Sequence, residues 1–182
     1  MNAESSFFFT NPGTDAVIAF FNHPLFIYKY LHNNYLNNNT MAASAYVYLN
    51  FMGNTEEAFE FYRSVIGGEF SGLMRFEGTP YGDELPEADR HKIMHIGLPM
   101  GAGTMIMGTD ALESMGQTLT FGNNNYICLG PESLEEAEHL FNGLSAGGKI
   151  EQQLEKMFWG DYFGSFTDKF GVSWMVNYND QQ

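Results

Sequence analysis

Two stretches of the chain carry the same amphipathic helical pattern, offset by 79 residues (135 − 56). They cover residues 54–66 and 134–146, and apolar side chains recur in both at helical spacing. A capping residue, Asn54 or Ser133, precedes a Glu three positions later, which we expect to reach back to the amide of the cap. A glycine pair follows each stretch and ends the helix. The repeat predicts a duplicated fold.

Runs of β-preferring residues surround both predicted helices. In the first copy the predicted strands cover residues 46–51, 69–76, 93–98 and 104–107. In the second copy they cover residues 125–129, 149–153, 162–167 and 173–177. A polar stretch with Pro and Gly, residues 77–92, is predicted to be a long loop and a mobile cover over a site.

Each copy is therefore a βαβββ module, the first in residues 41–110 and the second, after a linker, in residues 111–182. A module places its helix on one face of a small sheet and leaves the other face free. Two such faces must cover each other or a ligand. We expect an α+β fold in which the paired modules form a curved, partly closed mixed sheet with the helices outside and a cavity at its centre.

Residues 1–40 differ from the rest of the chain in composition. They contain only three charged side chains, together with a Phe triplet and runs of Asn, and show no helical or strand periodicity. We interpret them as a non-homologous extension, disordered or spurious, upstream of a start at Met41. The alternative is a partly ordered arm that packs on the domain or on a partner.

Eight basic and 22 acidic residues give the chain a net charge of −14. Such a surface repels phosphate backbones and anionic lipids, which argues against nucleic acid and membranes as partners. The only cysteine, Cys128, cannot form an intrachain disulfide and is predicted to lie in the core. The apolar run in residues 16–21 is too short for a signal peptide or a membrane span, so we expect a cytoplasmic protein.

Several motifs resemble one family in order and spacing. They are the repeat itself, Tyr48-Leu49-Asn50-Phe51, Phe61-Tyr62, Phe158-Trp159-Gly160 and Thr167-Asp168-Lys169-Phe170-Gly171-Val172-Ser173-Trp174. The chain resembles the PhnB-like branch of the vicinal oxygen chelate superfamily, over about residues 44–178. The resemblance implies the glyoxalase/bleomycin-resistance-like fold and a homodimer.

The resemblance implies little about activity, because this superfamily includes metal-dependent isomerases, ring-cleaving oxygenases, transferases and sequestering proteins. Members of this branch are also described as ubiquinone methyltransferases. The sequence has no glycine-rich loop after a strand in an alternating α/β pattern, so we give that description little weight.

In metal-using relatives, His, Glu or Gln side chains on the first, fourth, fifth and eighth strands hold one divalent cation. The corresponding places in this chain are Val47 or Tyr48, Met107 or Gly108, Asn125, and Met175. Imidazole and carboxylate groups are lacking at all four, and thioether or amide groups hold a divalent cation weakly. We therefore expect no metal and no other cofactor.

His95 is the one histidine that we consider a catalytic candidate, as a general base or a lone ligand, although a hydrogen-bonded structural role is the simpler interpretation. The glutamates at the starts of the two helices are interpreted as caps. Aromatic and amide groups together are typical of a small-ligand pocket. The ligand-binding candidates are Tyr48, Asn124, Asn125, Trp159 and Tyr162.

Three hypotheses follow. The first is a homodimer that binds a small, partly apolar organic molecule between its modules without a metal, either as a binding protein or as an enzyme of unassigned chemistry. The second is a metal-dependent lyase, isomerase or dioxygenase with an atypical ligand set around His95. In the third, the aromatic side chains only fill the core.

Overall fold

The computed structural model describes residues 16–18, 28–30, 45–101 and 103–180. The chain divides into two units, residues 1–46 and 47–182. In the first unit, strand β1 (Ala16–Ile18) pairs antiparallel with β2 (Tyr28–Tyr30). The other residues of the predicted extension, which spans residues 1–40, lie outside the described residues.

The second unit contains the two predicted modules. The first has β3 (Val47–Phe51), α1 (Thr55–Ile66), β4 (Gly72–Arg75), α2 (Pro80–Glu84), α3 (Glu87–Arg90), β5 (Ile93–Pro99) and β6 (Met105–Asp110). The second has β7 (Ile127–Leu129), α4 (Leu134–Ser145), β8 (Lys149–Lys156), β9 (Tyr162–Thr167) and β10 (Ser173–Tyr178). The predicted helices and strands are all present, with ends shifted by a few residues.

Each module of the described chain forms a four-stranded mixed sheet, in the order β3-β6-β5-β4 or β7-β10-β9-β8. The first and last strands of each module pair parallel, and the other pairs are antiparallel. Tyr48 lies opposite Met107 in the first sheet, and Cys128 lies opposite Met175 in the second. The shared topology confirms the duplication and the α+β class, but the two sheets do not close into one.

In both modules a glycine on a strand allows the helix to pack closely against the sheet. A Cβ atom at Gly108 would lie 2.5 Å from the Phe59 ring of α1, and one at Gly164 would lie 2.5 Å from the Phe141 ring of α4. The absence of a side chain on the strand thus makes room for an aromatic ring from the helix. Phe59 and Phe141 are buried as a result.

The two modules share one core, because α1 contacts α4. A Cβ atom at Gly143 of α4 would lie 2.5 Å from Val65 Cγ1 of α1. On the same interface, His139 Nε2 lies 2.9 Å from the carbonyl oxygen of Val65. One buried apolar cluster continues from the first module into the second across this contact.

The first helix is capped differently from our expectation. Among the described residues, the Asn54 side chain makes no capping hydrogen bond. Asp110, at the end of β6, replaces it: Oδ1 accepts from the amides of Gly53 and Thr55 at 3.0 Å each and from Thr55 Oγ1 at 2.6 Å. Its Oδ2 accepts from the Ile93 amide at 2.8 Å. The carboxylate thereby joins the start of α1 to two strands.

The second helix has the predicted cap. Ser133 Oγ accepts from the Glu136 amide at 3.1 Å. Glu136 reaches back as expected, but to the amide of Glu132, at 2.8 Å, which precedes the cap. Glu56 of the first helix has a role beyond the start of the helix, since it pairs with Arg75 of β4 at 2.6 Å.

Two further expectations were wrong. Residues 77–92 are not one irregular loop, because α2 and α3 form there over a small buried cluster of Phe76, Leu85 and Leu112. Cys128 is exposed rather than in the core. It occupies the middle of the three-residue strand β7, so it points away from the face on which Ile127 is buried.

The Asp168 carboxylate connects the modules. Its Oδ1 accepts from the amides of Phe170 and Val172 at 2.8 and 3.0 Å. Its Oδ2 accepts from Trp174 Nε1 at 2.9 Å and from the Tyr62 hydroxyl of the first module at 2.8 Å. Burial and the neighbouring carboxylate raise the pKa of Tyr62, so its hydroxyl stays protonated and remains a donor.

Replacing Asp168 with Asn should lower the free energy of unfolding by about 3 kcal/mol, because buried donors lose a charged acceptor. Urea denaturation measures this change. The matched control is Asp180→Asn, which breaks the more exposed ion pair with Lys156 and should cost less than about 1 kcal/mol. Equal effects of the two variants would contradict a special role for Asp168.

Candidate functional site

A cleft of about 260 Å³ lies beside strand β3, and we call it the β3 cleft. Three segments form its walls: β3, the link that precedes β7, and the turn that leads into β10. The lining residues are Tyr48, Leu49, Asn50, Leu119, Thr120, Phe121, Gly122, Asn125, Gly171, Val172 and Ser173. Both modules therefore contribute to it.

The turn that forms one wall is fixed by its backbone. Asp168 accepts hydrogen bonds from the amides of Phe170 and Val172, which holds the turn closed. Gly171 adopts a φ of 85°, where a side chain would be strained. A Cβ atom at Gly171 would also lie 3.2 Å from the Phe121 ring, so glycine permits the link to approach the turn.

The described residues that line the β3 cleft include no charged side chain. Leu49, Phe121 and Val172 provide apolar surface, and hydroxyl or amide groups such as those of Ser173 and Asn125 provide hydrogen-bonding capacity. This combination suits a small, partly apolar molecule.

His95 contacts Tyr48, which lines the β3 cleft. The Tyr48 hydroxyl oxygen lies 3.2 Å from His95 Nδ1, and the two ring centroids are 6.0 Å apart. His95 lies on β5 directly opposite Met74 of β4. Burial lowers the pKa of His95 to about 4, so the imidazole is neutral near pH 7. A neutral imidazole can orient the phenol by hydrogen bonding and brings no positive charge to the cleft.

The predicted ligand-binding residues separate into two places. Tyr48 and Asn125 line the β3 cleft, and Asn124 is exposed beside it. Trp159 lies in the turn between β8 and β9, where it is 49% exposed and packs on Phe158 and Phe163. The Tyr162 ring lies 6.3 Å from that of Tyr178. Neither Trp159 nor Tyr162 is among the lining residues of the cleft.

Sequence reasoning missed the wall formed by the turn before β10 and most of the wall formed by the link, of which it identified only Asn125. Residues 119–122 and 171–173 lie in the link and in a turn, and neither shows a periodicity that marks a site. The available signal was the Gly and Thr content of the link, which is typical of a loop rather than of a binding surface.

Three of the four places inferred for metal ligands lie on β3, β6 and β10, and the fourth lies just before β7. Asn125 precedes β7, and the residue of β7 in register with Met175 is Cys128. Tyr48 and Met107 are the corresponding pair in the other sheet. A phenol, a thiol and two thioethers do not fit a hard divalent cation. Within the described ranges, no three His, Cys, Asp or Glu side chains gather as a metal site.

A second cleft of about 330 Å³, near the start of α1, is lined by charged groups that form ion pairs. Arg75 pairs with Glu56 at 2.6 Å, and Lys92 pairs with Asp89 at 2.7 Å. We interpret this surface as an ion-paired part of the fold.

In the part of the chain that the structure describes, no helix combines the length and apolar character needed to cross a bilayer.

The lowered pKa of His95 predicts a pH dependence of stability. The pKa of the His95 imidazole is 6.5 in the unfolded chain and about 4 in the folded chain. Stability should therefore be complete above pH 6.5 and fall as pH decreases towards 4, by roughly 2 kcal/mol at pH 5. The His95→Gln variant cannot titrate and should lose this part of the slope. Urea denaturation at pH 7.5, 6 and 5 measures it, and identical slopes in both proteins would refute the assignment.

Comparison with known proteins identifies the family. The family model described as 3-demethylubiquinone-9 3-methyltransferase matches residues 43–177. Protein YjdN of Escherichia coli strain K12 is 34% identical over 150 residues, which covers 74% of this chain and 95% of that protein.

Solved structures agree. Protein PA1353 from Pseudomonas aeruginosa has a TM-score of 0.67 at 35% identity and covers 76% of this chain and 98% of its own. A PhnB protein from Bacillus cereus, named as a putative 3-demethylubiquinone-9 3-methyltransferase, has a TM-score of 0.61 at 26% identity, with 75% and 99% covered.

The fosfomycin resistance protein FosX from Listeria monocytogenes, solved with Mn(II) and sulfate, has a TM-score of 0.53 at 11% identity, with 78% and 96% covered. At this identity the likeness concerns the fold alone, and it confirms the predicted glyoxalase/bleomycin-resistance-like architecture. The chain belongs to the PhnB-like family, whose model carries the 3-demethylubiquinone-9 3-methyltransferase description.

Proposed function

We propose that this protein binds a small, partly apolar organic molecule in the β3 cleft without a metal. The observation that carries the proposal is the composition of the cleft walls, which combine Leu, Val and Phe side chains with amide and hydroxyl groups. Tyr48 and Asn125 are the proposed contacts, with Asn124 at the rim. The bound molecule is a ligand or the substrate of a reaction that these groups do not identify.

We also propose a cytoplasmic homodimer. Large apolar side chains are exposed in the second unit, including Phe158 at 98%, Met74 at 43% and Leu73 at 43%. Side chains of this kind are typical of surfaces that another protein covers. The family match begins at residue 43, so we place the binding unit in modules 41–110 and 111–182 and leave residues 1–40 outside it.

Methyl transfer is not part of the proposal. The family description names that activity, but the turn between β3 and α1 has a single glycine, Gly53, in residues 52–54. The usual glycine-rich loop for a nucleotide-like cofactor has more than one glycine at such a turn.

Variants on the two candidate surfaces test where the ligand binds. A ligand identified by native mass spectrometry or by ligand-observed NMR should lose about tenfold in affinity with Asn125→Ala, because a hydrogen-bonding side chain is removed. Trp159→Ala, which changes the exposed β8–β9 turn, should leave the affinity unchanged. The opposite result would move the site to the aromatic turn.

Metal removal tests the competing metal-dependent hypothesis. EDTA treatment should leave the melting temperature and ligand affinity unchanged, and added Zn²⁺ or Mn²⁺ should not raise the melting temperature, because the inferred ligand places carry unsuitable donors. Stoichiometric metal in the purified protein would favour the metal-dependent hypothesis. A metal-dependent stabilisation that disappears in His95→Ala would place that metal at His95.

A further inference from the structure

We propose that the β3 cleft selects an uncharged ring compound bearing an amide or hydroxyl group and rejects the corresponding carboxylate. This inference rests on the proposed function, since it specifies the ligand class of the same cleft. It follows from the charge of the walls, the nature of their polar groups, the charge of the whole chain and the size of the cleft.

The first argument is the lack of a counter-charge. The described lining residues include no Lys, Arg or His, so an anion that enters must give up part of its hydration without gaining an ionic partner. The nearby His95 does not supply one, because it is a neutral imidazole that contacts the Tyr48 hydroxyl.

The second argument concerns Asp168, which accepts a hydrogen bond from the amide of the wall residue Val172. Its four hydrogen-bond donors satisfy the carboxylate but leave its negative charge in place. The chain as a whole carries −14. Both charges oppose an incoming anion, and the local one is screened less by salt because it is buried.

The third argument is that the polar wall groups can donate and accept. Side chains of Asn50, Asn125 and Ser173 each offer both functions. An uncharged amide or alcohol finds suitable partners among such groups, whereas a carboxylate is only an acceptor. A volume of about 260 Å³ holds one ring with a short substituent, because a cavity of about 150 Å³ already accommodates benzene.

Benzamide, benzyl alcohol and benzoate form a matched probe set with the same ring. We expect saturation-transfer NMR at pH 7.5 and moderate salt to show binding of benzamide or benzyl alcohol and at least tenfold weaker binding of benzoate. Benzoate binding as tight as that of the neutral probes would overturn the inference while leaving the proposed function intact. Absence of binding by all three probes would contradict both.

A charge-switch variant separates local from global electrostatics. Asn125→Lys places a cation on the cleft wall and should raise benzoate affinity at least tenfold. Asn123→Lys is the matched control, because it adds the same charge at an exposed position two residues away that does not line the cleft. Equal gains in both variants, or no gain in Asn125→Lys when the neutral probes still bind, would refute the role of the wall.

Discussion

The buried Asp168 carboxylate is the interaction on which both the module contact and the cleft depend. One of its oxygens accepts from Tyr62 of the first module and from Trp174 of the second. The other closes the turn that forms a cleft wall. A charged group buried between modules is costly unless all its hydrogen-bonding positions are used, so the arrangement admits little variation. The core contact and the cleft geometry are therefore coupled.

The architecture could be predicted because the same βαβββ pattern occurs twice in the chain. Helix periodicity and β-preferring runs are local signals, and their repetition fixed the order of elements in both modules. The errors arose where distant residues decided the outcome. Asp110, more than fifty residues away, caps α1 in place of Asn54. Residues 77–92 form two short helices because Leu112, outside that segment, completes the small cluster beneath them.

The candidate site was predictable only in part. Tyr48 and Asn125 could be found because Tyr48 lies within β3 and Asn125 lies just before β7, two strands whose places the repeat had established. The other walls come from irregular segments brought together by tertiary contacts, such as Phe121 against Gly171. The density of aromatic residues near Trp159 suggested a pocket, but at the tip of a hairpin the rings contact one another and solvent. The amino-acid composition of a segment does not show whether it forms a cleft wall or an exposed turn.

The cleft also shows why a duplicated fold need not have a duplicated site. The first module contributes a regular strand, whereas the second contributes the turn before its last strand. The link that completes the cleft joins the modules and therefore occurs once in the chain, so the pseudo-symmetry that governs the sheets does not extend to this surface. Function on such a scaffold can change through the link and the turn while the helix–sheet packing around Gly108 and Gly164 is retained.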